Sequence, residues 1–170
     1  MSLHWVPVAE RTDLLAEPVA RAVSGVEGVE VAGIDPDLAD TAAFCERYGV
    51  TLDESANCVI VAARRGGETR YAACVVLATT RADVNGVVRR HLDARKASFA
   101  PMAEAVELTG MEYGGITPIG LPEEWPVLVD TRVAEHARVV IGSGVRHSKL
   151  ALPGAALAGL KRAEVLPLAG

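Results

Sequence analysis

The sequence predicts an α/β fold: a mixed, strongly curved sheet with helices packed outside it. Two long apolar runs flank a turn centred on Gly66-Gly67, and two shorter ones follow at 127–129 and 139–141. Around them lie segments whose apolar residues recur at helical spacing. Strands alternating with short helices in this way imply helices layered on a sheet. Composition agrees, because 50% of the residues are hydrophobic but only 4% aromatic, so Val, Ala and Leu must fill the core. A chain of 170 residues fits one domain, 1–170, which buries roughly two thirds of its unfolded surface.

Residues 1–37 read as a peripheral N-terminal extension of that domain, with a strand and a helix interrupted by Gly25, Gly28 and Gly33. Asp35-Pro36 has the form of an N-cap with proline at the first helical position, opening a helix over 38–48 that Gly49 stops. Residues 57–63 are apolar on both faces, as a central strand covered on both sides must be. Residues 64–68 turn the chain, and 69–78 return as a second strand of the same character. Val84, Val87, Val88 and Leu92 place a helix within 80–92, and 101–109 forms another, ended by Gly110. Residues 110–122 are rich in glycine and proline and follow neither period. Beyond the strands at 127–129 and 139–141 come a second irregular loop (142–147), an edge strand at 149–152 and a terminal helix from Pro153.

No apolar run reaches the ~20 residues of a membrane helix. The first four residues, Met1 to His4, lack the basic and apolar regions of a secretory signal, so a cytoplasmic protein with no membrane partner is expected. The net charge is −5, which argues against general nucleic-acid binding. Its distribution is uneven. Residues 1–57 carry 3 basic and 11 acidic side chains, whereas 58–170 carry 14 and 11. Arg89, Arg90, Arg95 and Lys96 crowd one stretch opposed only by Asp93. That stretch is either a solvated helix end or a compact patch that meets an RNA end.

Cys45, Cys58 and Cys74 are odd in number and form no CxxC pair, so they read as small core residues rather than a disulfide or zinc framework. A two- or four-residue hairpin loop sets Cys58 opposite Val75, with the thiols of Cys58 and Cys74 on opposite faces; a three- or five-residue loop brings them together. His4, His91, His136 and His147 make no metal pattern, and neither a GxxxxGK[ST] loop nor a GxSxG elbow is present. No metal or cofactor is expected.

Two loops remain for chemistry. Between Gly110 and Gly120, the pair Gly114-Gly115 permits positive φ and a close approach of backbone N–H groups to a ligand. Such groups form concavities that hold a carbonyl oxygen gaining charge. In the second loop, Ser143 and Gly144 precede Arg146, His147 and Lys149 just after a buried strand. Each loop also has a plainer reading, as a turn or as solvated charge.

The ordered series of strand 56–61, segment 95–100, the loop from Thr109-Gly110 through Gly114-Gly115 to Pro118 and Gly120, the strand ending in Asp130, and Gly142-Ser143-Gly144 resembles the YbaK/EbsC family. These are aminoacyl-tRNA deacylases related to the editing domain of prolyl-tRNA synthetases, and the likeness covers about residues 38–165. It implies metal-free hydrolysis of the ester joining a wrong, small amino acid to the tRNA 3′ end, in the service of translation fidelity. It also implies tRNA as partner, with an aminoacyl-tRNA synthetase as a second one. Carried over residue by residue, Asn57, Gly114, Gly115, Ser143 and Gly144 take the catalytic positions. Thr117, Pro118, Lys96, Asp130 and His147 take substrate-binding positions, and Arg89, Arg90 and Arg95 approach the tRNA. The family pattern has lysine on the first central strand where this chain has Asn57. Lys96, His147 and Lys149 are the cations available to replace it. A neutral residue there sets a second reading beside the deacylase, a non-catalytic module that binds an aminoacyl or amino-acid ligand. A third is an adaptor recruited to a synthetase through the acidic N-terminal third.

Overall fold

The computed structural model describes residues 3–169; Met1 and Ser2, part of the segment read above for a signal, and Gly170 lie outside the described residues. In chain order the elements are β1 (Val6–Pro7), α1 (Glu17–Ala22), β2 (Glu30–Gly33), α2 (Thr41–Tyr48), β3 (Ala56–Arg65) and β4 (Glu68–Leu77). A π-helical turn, Val84–Val88, then runs into α3 (Arg89–His91), followed by β5 (Lys96–Phe99) and α4 (Met102–Thr109). The chain ends with β6 (Val127–Asp130), α5 (Thr131–Ala134), β7 (Val139–Gly142), β8 (Ser148–Leu152), α6 (Gly154–Ala158) and β9 (Ala163–Leu166).

The hairpin of β3 and β4 is the backbone of the fold. Gly66 and Gly67 both have positive φ, 59° and 83°, as a two-residue type I′ turn requires. The register puts Cys58 opposite Val75 and Val59 opposite Cys74, so the two thiols face opposite sides. Both faces are covered. Ile60, Ala73 and Val75 join Val127, Val129, Ile141 and Leu150 in the main core. Val61, Cys74 and Val76 pack on the other side with Val84, Val88, Leu128 and Leu168. Each fully buried Val or Leu contributes about 1.5–3 kcal/mol, so this double burial explains the continuous apolar run.

The expected single, strongly curved sheet is replaced by two sheets. One is mixed, in the order β5-β3-β4-β6-β9, with β4, β6 and β9 parallel; the other is antiparallel, in the order β1-β2-β8-β7. A lone bridge, Ser55 to Val140, connects them where β3 begins beside β7. The N-terminal segment is also less peripheral than its composition predicts, because β2 pairs with β1 and β8 and Val19 and Val31 are fully buried. For the same reason β8 is an inner strand, not an edge: β2 and β7 flank it and all five of its residues are buried.

Smaller differences have local causes. Asp35 accepts a hydrogen bond from the Asp37 N–H as expected, but that turn is a separate 3₁₀ piece, and α2 starts afresh at Thr41. Gly49 and Gly110 end α2 and α4 in the left-handed conformation. The helix expected over 80–92 begins only at Val84, because Ala82 is held against Ala169 and Asp83 caps the turn through the Gly86 and Val87 N–H groups. No described helix is long and apolar enough to cross a membrane.

Candidate functional site

Where the two sheets meet, the backbone leaves a cavity of about 250 Å³. Asn57 and Cys58 of β3, Thr41 of α2, Gly114 and Ile116 of the glycine loop, and Lys149 of β8 all line it. The first long strand, the loop and the C-terminal hairpin thus converge on one hollow from three separate parts of the chain.

Asn57 is half-buried, and its Oδ1 accepts a 2.8 Å hydrogen bond from the Thr41 hydroxyl in the first turn of α2. This bond fixes the amide and leaves the Nδ2 donors without a partner among the described residues. Cys58 is no nucleophile, because burial pushes its thiol far above the ordinary range. Lys149 is only 8% exposed. Its Nζ donates to the Ala39 carbonyl at 2.9 Å and lies 5.2 Å from the Phe44 ring centre. Burial holds its pKa below the ordinary lysine value, with Arg146 adding to the depression and Cys45 and Asp40 opposing it.

The glycine loop packs backbone on backbone against the turn after β7. Gly144 N–H donates to Gly115 O at 2.7 Å, Glu112 N–H to Gly144 O at 2.8 Å, and Gly115 N–H to Glu112 O at 3.0 Å. Positive φ occurs at Gly114 (82°) and Gly120 (89°) but not at Gly115. Gly115 is required for a different reason, since a Cβ there would stand 2.8–2.9 Å from the Val145 backbone. Arg146 ties the loop down: Nη1 donates to Tyr113 O at 3.2 Å and pairs with Asp40 at 3.4 Å, and Nε donates to Pro36 O at 3.2 Å. The N–H groups of Gly114 and Ile116 have no acceptor among the described residues and belong to residues lining the cavity.

Of the residues singled out from sequence, then, the structure brings together Asn57 and Gly114, with Gly115 directly behind them. It does not bring the rest there. Ser143 is fully buried; its hydroxyl donates to Val145 O or Ser148 O and accepts from Ser148, which makes it a strut of the turn. The Gly144 N–H is already donated to Gly115, so it is not free to hold a carbonyl. Asp130 is buried, caps α5 and accepts from the Leu168 and Ala169 N–H groups. Thr117 is buried with its hydroxyl unpartnered among the described residues, and His147 lies on the surface.

Pro118 faces a different and larger cleft, about 770 Å³, lined also by Trp125, Pro153 and Lys161. Despite its size, that cleft holds none of the converging donors. Lys96, Arg90 and Arg95 are exposed and Arg89 is half-buried at the far end of β3, where Lys96 sits opposite Arg64. Seven residues of strand separate Arg64 from Asn57, roughly 23 Å at the usual rise. Sequence reasoning missed Thr41 altogether; it placed Arg146 and Lys149 in the second candidate loop without a role for Arg146, and offered Lys149 as one of three replacement cations. The signal for Lys149 is its place in an alternating strand whose other members are all buried.

Comparison with known proteins bears on the family and the fold. Residues 35–160 match the aminoacyl-tRNA editing domain family. A stretch of 72 residues is 33% identical to proline–tRNA ligase of Listeria welshimeri; it spans 41% of this chain but 13% of the ligase. Among solved structures, a proposed trans-editing enzyme for prolyl tRNA synthetase aligns with a TM-score of 0.77 at 19% identity, over 91% of this chain and 96% of that one. The hypothetical protein APE2540 aligns with a TM-score of 0.80 at 21% identity, over 91% of this chain and all of that one. At such identities these structures bear on the fold alone, while the family match extends over most of the chain. By that match, the chain belongs to the aminoacyl-tRNA editing domain family.

Proposed function

We propose that this protein hydrolyses the ester linking a wrongly attached small amino acid to the 3′ end of tRNA, acting in the cytoplasm without a metal. The observation that carries the reading is the meeting of Asn57, Gly114, Ile116 and Lys149 around one hollow of about 250 Å³. That volume lies below the 300–1,000 Å³ of ordinary ligand sites and suits an aminoacyl group rather than a whole nucleoside. The ester carbonyl is held by the N–H groups of Gly114 and Ile116, and Asn57 positions the carbonyl or the attacking water. The ribose hydroxyl beside the ester assists that water. Gly115, Ser143 and Gly144 act behind the site, holding the two loops against each other. The exposed Arg90, Arg95 and Lys96, with Arg89, receive the tRNA body about one strand length away. A synthetase that produces the mischarged tRNA is the natural partner.

The neutral Asn57, already bonded to Thr41, supports a second reading, in which the same hollow binds an aminoacyl end without cleaving it. A panel of mischarged tRNAs, with catalytic amounts of protein and EDTA present, decides between them. The deacylase reading expects accelerated release of one small amino acid, unaffected by EDTA. Tight binding of the same tRNAs with no release from any of them supports the binding module instead.

A further inference from the structure

A buried ammonium needs an explanation, because taking a charge out of water is unfavourable unless something compensates it. Lys149 has little that does so. Among the described residues it forms no ion pair, and its sole hydrogen bond is to the Ala39 carbonyl. An ammonium has three donors, so two are left over. The Phe44 ring beside it offers a weak cation–π contact and accepts no hydrogen bond. The nearest acid along the chain to its acceptor, Asp40, also lines the cavity but pairs with Arg146 and not with Lys149. Lys149 is also the sole cationic side chain among the described residues lining the 250 Å³ cavity.

Its backbone is rigid. β8 is hydrogen-bonded on both sides, with Lys149 opposite Ala32 of β2 and Gly142 of β7. Asn57 approaches from the other sheet. The hollow therefore has a neutral donor on one wall and an under-used cation on the other, and it is also lined by Gly114 and Ile116, whose N–H groups have no acceptor among the described residues.

From this arrangement we infer that Lys149 is the catalytic cation of the site, its ammonium binding the ester carbonyl oxygen and the charge that oxygen gains. The inference rests on the deacylase reading. In the step, water oxygen bonds to the acyl carbon and the carbonyl π pair moves onto oxygen, where Lys149 Nζ–H donates to it. Collapse of that tetrahedral species breaks the bond from the acyl carbon to the ribose oxygen. The proton lost by water ends on that oxygen, giving free amino acid and a tRNA with its hydroxyl restored. Lysine keeps its proton throughout.

The depressed pKa of Lys149 gives the proposal a second observable. Its surroundings, Asp40 and Cys45 on the α2 side, Cys58 from β3 and Arg146 from the loop, contain no acid close enough to restore an ordinary value. Loss of the cation with rising pH therefore sets in below 10.5. The sign for stability is opposite. Between the lowered folded value and the unfolded one, the unfolded chain binds the extra proton, so stability rises with pH.

The test is single-turnover hydrolysis by the full chain, on whichever mischarged tRNA the panel identifies, for wild type, Lys149→Met and the double variant Asn57→Lys/Lys149→Met. Melting curves accompany each protein, and spontaneous hydrolysis is subtracted. Lys149→Met is expected to fold at least as stably as wild type and to lose ~10²–10³ in rate with little change in tRNA affinity. Moving the cation across the hollow in the double variant recovers at least tenfold of that loss. The wild-type rate falls with pH ahead of the ordinary lysine range. A folded Lys149→Met protein with the wild-type rate overturns the role of Lys149 alone. Should Lys149→Met not fold, the wild-type profile decides, and a rate with no falling limb below the ordinary lysine value overturns it too. A wild type inactive on every tRNA removes the deacylase reading, and this proposal with it.

Discussion

Gly115→Ala places one methyl group where the two loops touch, and the structure fixes what that does. The new Cβ lies 2.8 Å from Val145 O and 2.9 Å from Val145 C and N. Those atoms cannot move away cheaply. Val145 O accepts from the Ser143 hydroxyl at 3.2 Å, and the preceding Gly144 is bonded both to Gly115 O and from Glu112 N–H. Overpacking of this kind costs about 1–3 kcal/mol, and losing the Gly144–Gly115 bond adds about 0.5–1.5 kcal/mol. A total of roughly 2–4 kcal/mol lowers the melting temperature of a chain this size by about 4–16 °C and leaves it folded. Relief comes by shifting Gly114 and Ile116, and a displacement of about 1 Å at a reacting centre costs on the order of 10²-fold in rate. Differential scanning calorimetry and single-turnover hydrolysis measure the two effects. Gly114→Ala is the comparison for a side-chain clash, because its Cβ, at a φ of 82°, meets Arg146 and Asp40 side-chain atoms and displaces the Arg146 bonds to Tyr113 O and Asp40 while sparing the Val145 backbone. If Gly115→Ala melts within about 2 °C of wild type and hydrolyses at the wild-type rate, the packing argument of overfilled loops fails.

Three further expectations follow from the same geometry. Ile116→Ala removes apolar bulk from the cavity wall, so a larger aminoacyl side chain should gain in kcat/KM by ~10-fold or more relative to the small one, read from the same tRNA panel. Arg90→Glu with Arg95→Glu should weaken tRNA binding and flatten its dependence on salt while leaving the melting temperature unchanged, as filter binding across a salt series would reveal. Burial raises the Cys58 thiol above its ordinary value, so iodoacetamide at neutral pH should leave hydrolysis intact, and rapid loss of activity with Cys58 modified would contradict that.

How much of this was legible in the sequence varied with the range of the interaction. The β3–β4 hairpin could be read, because both its faces are apolar and Gly66-Gly67 marks the turn, but its loop length, and with it the Cys58–Cys74 register, could not. Gly49 and Gly110 likewise announced their helix ends. Long-range pairing could not be read. Nothing local to residues 30–33 says that they pair with 148–151, so the second sheet was folded into a single curved one and β8 was placed at an edge. Beyond the first 37 residues two strands escaped notice: Lys96–Phe99 is short and polar at its start, and Ala163–Leu166 is half-exposed beside Lys161 and Arg162. At the site, the glycine loop and Asn57 stood out because their residue types are unusual where they occur. Ser143 and Gly144 stood out equally but serve packing, since the hydroxyl that satisfies Ser143 lies five residues on at Ser148. Lys149 was visible as a cation, but its burial depends on β2, which only the folded chain brings alongside.

The central claim is that the aminoacyl end is held in the hollow between the two sheets, and a crystal structure with a stable analogue tests it most directly. The ligand is the 3′-terminal adenosine carrying the panel's best amino acid through an amide in place of the ester. The account predicts the aminoacyl group in the 250 Å³ cavity between Asn57 and Lys149. Its carbonyl oxygen should lie within about 2.7–3.2 Å of a donor from Gly114, Ile116 or Lys149. An analogue seated instead in the 770 Å³ cleft beside Trp125 and Pro153, with the smaller hollow unfilled, would contradict it.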